Sequence, residues 1–234
     1  MTRPDWIEPV VAALEEITWS DLTAFGVPEG AAPRRSAVLM LFGEGPDGPD
    51  LLLTERSHTM RSHPGQVSFP GGAVDPGETA VQAALREAEE ETGIERDGVE
   101  VLGQLPELYL PPSDNAVTPV VGWWRDPSEV SPTSVDEVHA VYRVPVSELR
   151  DPAHRITVRS PRHGWRTPGF LIGPDKDVIL WGFTGGIVQR FLQYLGWLDD
   201  VPDAREVDLP AYMLSGRERA RGRDPQEWVE DEEE

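Results

Sequence analysis

Cysteine is absent from the 234 residues of this chain. The chain therefore forms no disulfide and offers neither a thiolate metal ligand nor a cysteine nucleophile, which fits the cytoplasmic location that we expect. Positive charge is also scarce, because 21 Lys and Arg residues face 42 Asp and Glu residues, for a formal charge of -21. Nucleic acid is not an expected partner, since binding a phosphate backbone needs a basic face.

Long apolar runs are missing as well. No segment approaches the roughly 20 apolar residues that span a bilayer, and the N-terminus lacks the basic start and apolar run of a signal peptide. We therefore expect a small-molecule substrate as partner and no membrane, with a homodimer left open. The hydrophobic fraction of 38% can build a core, and the length fits one domain with extensions.

Hydrophobic periodicity predicts three helices and several strands. The clearest helix spans residues 79–92, where Thr79 and Gln82 have capping-box spacing and Gly93 follows as a C-terminal glycine. The other predicted helices are 8–17 and 184–197, and the predicted strands are 36–42, 51–56, 99–105, 117–124, 137–144 and 178–181. The acidic end, "DPQEWVEDEEE", has the composition of a disordered tail.

Four glutamates crowd into the stretch "REAEEETGI" at residues 86–94. On a helix, Glu87, Glu90 and Glu91 fall within a wedge of about 100°, while Glu89 points to the opposite side. Their mutual repulsion costs roughly 0.2–0.5 kcal/mol per pair. Either the wedge is a solvated acidic face, or it binds a divalent cation through oxygen ligands, as Mg²⁺ prefers. Arg86 is placed to reach Glu90 one turn later.

The apolar side of this helix is assigned from the same geometry. Val81, Leu85 and Ala88 form the stripe that we expect to be buried. Ala83 and Ala84 lie on the side of the carboxylate wedge, where we expect their small size to leave the approach open.

The residues before the helix favour the cation site. Five residues separate Gly72 from Glu78, seven more precede Arg86, and the pattern ends at Ile94. This resembles the signature of the Nudix hydrolase family at every fixed position over 23 residues. The resemblance implies an α+β Nudix fold, with a mixed β-sheet in an α/β/α sandwich. The implied domain spans 34–200, between a helical extension (1–33) and a C-terminal extension with the acidic tail (201–234).

The resemblance also implies hydrolysis of a nucleoside diphosphate derivative with Mg²⁺ or Mn²⁺. The implied metal ligands are three carboxylates and one carbonyl, from Glu87, Glu90, Glu91 and Gly72. Arg86 and Glu78 would brace the loop and the helix around them. The general base must be a glutamate near the metal, and Glu87, Glu90 and the loop residue Glu137 stay open for this role.

A second motif lies upstream, in "LLTERSHTMRSHPGQVSFPGG" at residues 52–72. It is similar to the extra signature of the coenzyme A diphosphatase branch of the Nudix enzymes, which implies cleavage of CoA or acyl-CoA into 3′,5′-ADP and a 4′-phosphopantetheine. Candidate phosphate ligands are the nearby arginines, Arg34, Arg35, Arg56 and Arg61. His58 and His63 could also contact phosphate, although loop histidines are usually solvated, which is what we expect here. The alternatives are a diphosphatase for ADP-ribose or a related compound, and a nucleotide sensor without catalysis.

Overall fold

The computed structural model describes residues 3–60, 63–160, 164–201, 203–209 and 213. The α-helices in this part of the chain are α1 (Ile7–Glu16), α2 (Trp19–Leu22), α3 (Ala80–Thr92), α4 (Val146–Arg150) and α5 (Gly182–Tyr194). The strands are β1 (Arg34–Gly45), β2 (Gly48–Arg56), β3 (Val67–Ser68), β4 (Gly71–Ala73), β5 (Val99–Gln104), β6 (Leu108–Leu110), β7 (Asn115–Trp124), β8 (Val138–Pro145), β9 (Arg155–Arg159), β10 (Arg166–Ile172), β11 (Val178–Leu180) and β12 (Arg205–Asp208).

The larger sheet is mixed, and β1 lies at its centre. Its strand order is β3-β2-β1-β7-β5, with β4 added to β1, β6 to β7 and β8 to β2. Strands β1 and β7 run parallel, whereas β1 and β2 form the predicted antiparallel hairpin. The short strand β4 pairs with the beginning of β1, so that Gly72 lies opposite Ala37. The loop before α3 is thereby fixed to the end of the sheet.

Helices cover both faces of this sheet because successive β1 side chains point to opposite faces. Leu39 and Leu41 pack with α3 in one core cluster. Met40 and Phe42 pack with α1 and α5 in the other. Layers of helix, sheet and helix result, which confirms the predicted α+β sandwich.

Helix α3 carries both of the predicted end signals. The Gln82 amide donates to the Thr79 hydroxyl at 3.2 Å, and the Thr79 amide donates to the Gln82 side chain at 2.9 Å. Gly93 ends the helix in the left-handed conformation, with φ of 72°. The predicted apolar side needs correction, because Ala83 and Ala84 are fully buried against the sheet. Their small side chains bring α3 close to the sheet and do not line an open approach.

The remaining predictions differ from the structure mainly in the second half of the chain. Strands β9 and β10 were not predicted, and with β11 and β12 they form a separate four-stranded sheet. Helix α5 ends at Tyr194, three residues before the predicted end. In the N-terminal segment, α1 buries Ile7 and Val10 completely. The acidic tail lies outside the described residues, and no helix in the described part is long and apolar enough to cross a membrane.

Candidate active site

The site begins where β4 meets α3. A side chain at Gly71 would overlap the backbone of β1, since a Cβ would lie 2.6 Å from the Val38 Cα. At Gly72 a Cβ would lie 2.5 Å from the Glu87 Oε1. Any other residue at Gly72 would therefore displace the Glu87 carboxylate. The two glycines let this carboxylate lie directly against the β4 backbone.

Arg86 is the hub of the polar contacts. Its Nε and Nη2 donate to the two oxygens of Glu78, each at 3.0 Å. Its Nη1 donates to Glu87 at 2.8 Å and to Glu90 at 3.3 Å, and Nη2 also donates to the Ala73 carbonyl at 3.1 Å. The Arg86 guanidinium thus holds together the loop, Glu78 and the carboxylates of Glu87 and Glu90. Its contact with Glu90 is the one that the spacing of four residues predicts.

Glu91 is largely enclosed by the surrounding protein. Its Oε2 accepts a hydrogen bond from the Gly71 amide at 3.2 Å. Burial raises the pKa of Glu91 to about 7, with a smaller contribution from the charges of Glu87 and Glu137. The Gly71 amide and the charge of Arg56 act in the opposite direction. A buried carboxyl among other carboxylates is costly to ionise without a further cation.

Glu89 and Glu90 show that the wedge has one open side. The Glu90 side chain is 58% exposed. Glu89 points away, as predicted, and pairs with Arg96 on the outer surface. The wedge therefore combines one enclosed carboxylate, one that lies against the β4 backbone and one that faces solvent.

The loop that carries Glu137 is tied to the end of α3. The Ser131 amide donates to the Thr92 carbonyl at 3.1 Å, and the Thr133 amide donates to the Glu91 carbonyl at 3.3 Å. The Glu137 carbonyl accepts from the Ser57 amide at 2.9 Å, which links the same loop to the end of β2. These bonds hold Glu137 close enough for its charge to raise the pKa of Glu91. The structure thus brings this loop candidate to the wedge.

The four candidate arginines occupy different positions. Arg56 leaves β2 on the α3 side, within electrostatic reach of Glu91, and its buried Nε has no hydrogen-bond partner among the described residues. Arg34 donates to the Ser113 carbonyl at 2.7 Å. Arg35 is 72% exposed and lies 3.6 Å from Glu107. Arg61 lies outside the described residues.

The sequence reasoning missed a buried polar cluster on the other face of β2. His58, expected to be solvated, is only 3% exposed, and its Nε2 lies 2.9 Å from Glu55. Glu55 also accepts from the Tyr142 hydroxyl at 2.5 Å, and the His139 ring lies 4.6 Å from that of His58. The cluster joins β2 to β8 beside Arg56 and Glu137. It holds together residues far apart in the sequence, so no local pattern indicates it.

Sequence comparison identifies the family. The NUDIX domain model matches residues 32–169. Nudix hydrolase 3 of Caenorhabditis elegans is 42% identical over 178 residues, which are 70% of this chain and 72% of that protein. The chain belongs to the Nudix family. It is also 38% identical to the Nudix hydrolase NudL of Enterobacter sp. (strain 638), over 70% of this chain and 84% of that protein.

Solved structures of Nudix hydrolases also resemble this chain, at lower sequence identity than the relatives above. A Caenorhabditis elegans Ap4A hydrolase in a binary complex has a TM-score of 0.42 and 22% identity, covering 49% of this chain and 82% of that one. The Nudix hydrolase RenU of M. smegmatis has a TM-score of 0.40 and 24% identity, covering 50% of this chain and 73% of that one. The sequence relatives, and not these structures, carry the family assignment.

The Nudix helix α3 presents donors that fit a hard divalent cation. Carboxylate and carbonyl oxygens are the ligands that Mg²⁺ and Mn²⁺ take. Two structural features match such an ion: the glycine backbone lies against the Glu87 carboxylate, and burial raises the pKa of Glu91. A cation beside this carboxyl would favour its ionised form.

Proposed function

We propose that this Nudix hydrolase cleaves the diphosphate bond of CoA or acyl-CoA with Mg²⁺ or Mn²⁺, releasing 3′,5′-ADP and 4′-phosphopantetheine or its acyl form. The observation that carries the proposal is the position of Arg56, which belongs to the upstream CoA-type motif. Its side chain lies within electrostatic reach of Glu91, and its buried Nε has no described partner. A guanidinium beside the carboxylate wedge is suited to a phosphate oxygen.

The metal would be held by Glu87, Glu90, Glu91 and the Gly72 carbonyl. When bound, a dication neutralises diphosphate charge, polarises phosphorus and acidifies a bound water. The protein keeps these ligands in place through Arg86, whose contacts to Glu78 and the Ala73 carbonyl join the helix to the loop. Arg86 is accordingly a positioning residue, and its own charge offsets part of the repulsion in the wedge.

Hydrolysis consumes one water molecule. Its oxygen bonds to one phosphorus, the bridging oxygen leaves with the other phosphate, and one proton passes to a general base. Among the open candidates we favour Glu137, because its carboxylate has no hydrogen bond within the described part of the chain while its charge still reaches Glu91. Glu87 and Glu90 both accept hydrogen bonds from Arg86, so that each already has a carboxylate oxygen in use.

The alternatives differ in what they require. A nucleotide sensor does not require the three metal carboxylates, yet Arg86 holds two of them in place. A diphosphatase for ADP-ribose would use the same metal site, so the distinction depends on the rest of the ligand. CoA carries a 3′-phosphate that ADP-ribose lacks, and a hydrogen bond to a charged group contributes about 1.5–3 kcal/mol.

A substrate panel tests this proposal. We expect a kcat/KM for CoA about 10- to 150-fold above that for 3′-dephospho-CoA, and a larger preference over ADP-ribose. Arg35→Ala should narrow the ratio of CoA to 3′-dephospho-CoA, because Arg35 is exposed at the beginning of β1 and its contact with Glu107 at 3.6 Å leaves most of the guanidinium open to a phosphate. Arg150→Ala, at the exposed end of α4, is the matched control and should leave the ratio unchanged. Faster hydrolysis of ADP-ribose than of CoA would refute the choice of substrate.

A further inference from the structure

Three potential metal ligands meet on the sheet face opposite α3. They are Glu55, His58 and His139, and their donor atoms all lie within 4.8 Å of one another. The Glu55 side chain is fully buried and that of His58 is 3% exposed, whereas His139 is more accessible. The carboxylate wedge lies on the α3 side of the same sheet. The group is therefore a second candidate site, separate from the one proposed to act on the diphosphate.

The sheet fixes the position of Glu55. Its backbone is paired with Val67 of β3 on one side and with Ala140 of β8 on the other. Its side chain points to the same face as that of Leu53, two residues earlier, and Leu53 packs in the core cluster with α1 and α5. The carboxylate is therefore held by a rigid element, as a precise ligand site requires.

A shift in strand register brings His139 to this face. Glu55 and Arg56 are consecutive on β2, but their partners on β8, Ala140 and Val138, are two residues apart. His139 is the extra residue at this shift. In a regular strand its side chain would point to the face opposite that of Ala140, and bulges of this kind redirect a side chain beside functional sites. The His139 ring consequently lies 4.6 Å from the other imidazole of the group.

Tyr142 orients the carboxylate. Its hydroxyl donates to the Glu55 Oε2 at 2.5 Å, while the other carboxylate oxygen, Oε1, lies 2.9 Å from the His58 Nε2. One oxygen is thus held by a hydrogen bond, and the other faces an imidazole nitrogen. Outer groups that hydrogen-bond a ligating carboxylate fix its orientation toward a metal ion in this way.

We propose that Glu55, His58 and His139 bind a transition-metal ion, and Zn²⁺ fits this set of ligands best. Imidazole nitrogens favour such an ion, whereas Mg²⁺ prefers the oxygen ligands of the wedge. Two histidines and one glutamate also form zinc sites that keep a fourth position open. Zinc–ligand distances of about 2.1 Å place two ligands about 3.4 Å apart in a tetrahedron, so movements of no more than about 1.4 Å complete the site.

The ion would join the end of β2 to the beginning of β8. Arg56 directly follows Glu55, and Glu137 lies two residues before His139. The charges of both Arg56 and Glu137 act on Glu91 in the wedge. A bound ion would therefore hold in place the strand ends from which these two side chains extend. Its binding does not depend on which diphosphate the enzyme cleaves.

Co²⁺ in excess Mg²⁺ is the probe for this site. Co²⁺ held by imidazoles with four or five ligands absorbs visible light strongly, whereas six-coordinate Co²⁺ among oxygen ligands absorbs weakly. The wild type should bind Co²⁺ with intense visible bands, and added Zn²⁺ should displace it. Outer partners alone change metal affinity about 10- to 100-fold, so His139→Gln should lose the bands and bind at least about a hundredfold more weakly. His154→Gln is the matched control and should bind as the wild type does, because its Nδ1 lies 3.2 Å from the Glu148 carbonyl oxygen, away from the group.

Tyr142→Phe is a second variant that keeps all three ligands and the aromatic ring. It should retain the intense bands and bind Co²⁺ about 10- to 100-fold more weakly, and circular dichroism in EDTA should show that it folds. Weak or absent bands in the wild type would overturn the proposal, as would unchanged affinity in His139→Gln or in Tyr142→Phe. Loss of the intense bands in Glu91→Gln would also overturn it, because the ion would then lie at the wedge.

Discussion

Replacing Glu91 with glutamine should reduce activity and at the same time stabilise the metal-free protein. Glutamine keeps an oxygen that can accept from the Gly71 amide, but it removes a buried negative charge. As one of the four proposed metal ligands, Glu91 should contribute about a thousandfold to kcat, or about 4 kcal/mol of barrier. The metal-free protein should gain stability because the substitution removes the cost of burying that charge.

The magnitude comes from the pKa of Glu91, which burial raises from 4.5 to about 7. Between these values the native protein keeps a proton that the unfolded chain has released, so the free energy of unfolding falls as pH rises through this window. At pH 8 the accumulated cost is on the order of 3 kcal/mol, at about 1.4 kcal/mol per pKa unit. Glu91→Gln should recover up to that amount, or about 6–12 °C in Tm for a chain of this size.

Thermal unfolding with EDTA, at pH 8 and at pH 4, is the measurement. The variant should be more stable at pH 8, and the difference should nearly vanish at pH 4, where wild-type Glu91 is protonated in the native state and mostly protonated in the unfolded chain. Added Mg²⁺ should raise the Tm of the wild type and have little effect on the variant. Glu89→Gln is the matched control, because Glu89 faces the outer surface and pairs with Arg96. A less stable Glu91→Gln at pH 8, or one with normal turnover, would contradict this reasoning.

Three further predictions concern the surroundings of the wedge and the C-terminus. Glu137→Gln should lower kcat at least a hundredfold, while the Mg²⁺ concentration that gives the half-maximal rate should change little. If that concentration rises and kcat at saturating Mg²⁺ is normal, Glu137 is a metal ligand and not the base. Gly72→Ala should lower kcat at least tenfold with unchanged circular dichroism, because the added Cβ would displace the Glu87 carboxylate; full activity would contradict that geometry. Deleting residues 224–234 should change kcat with CoA by less than about twofold, and loss of activity or folding would contradict a disordered tail.

Local patterns predicted helix α3 well. The Thr79–Gln82 capping box, Gly93 and the carboxylate wedge all depend on residues within four positions of each other, and helix geometry relates them directly. Burial depends on the neighbouring layer instead. Ala83 and Ala84 are buried because the sheet lies against them. Hydrophobic periodicity alone had placed the buried face on Val81, Leu85 and Ala88.

Long-range contacts explain what the sequence did not predict. The sequence offered Glu137 as a candidate base but not its position: it is 46 positions beyond Glu91, and bonds from its loop to the ends of α3 and β2 bring the two residues together. The same holds for His58, whose burial depends on β8 covering the end of β2. Strands β9 and β10 were missed because their sequences, "RITVR" and "RTPGFLI", contain arginines, a proline and a glycine, which weaken the strand pattern.

Identification of the products formed from CoA tests the central claim most directly. With Mg²⁺ present, the wild type should convert CoA into equal amounts of 3′,5′-ADP and 4′-phosphopantetheine, resolved by chromatography and mass spectrometry. EDTA and Glu90→Gln should each abolish the reaction, and added Mg²⁺ should restore it only after EDTA. Intact CoA, or release of inorganic phosphate in place of diphosphate cleavage, would contradict the account.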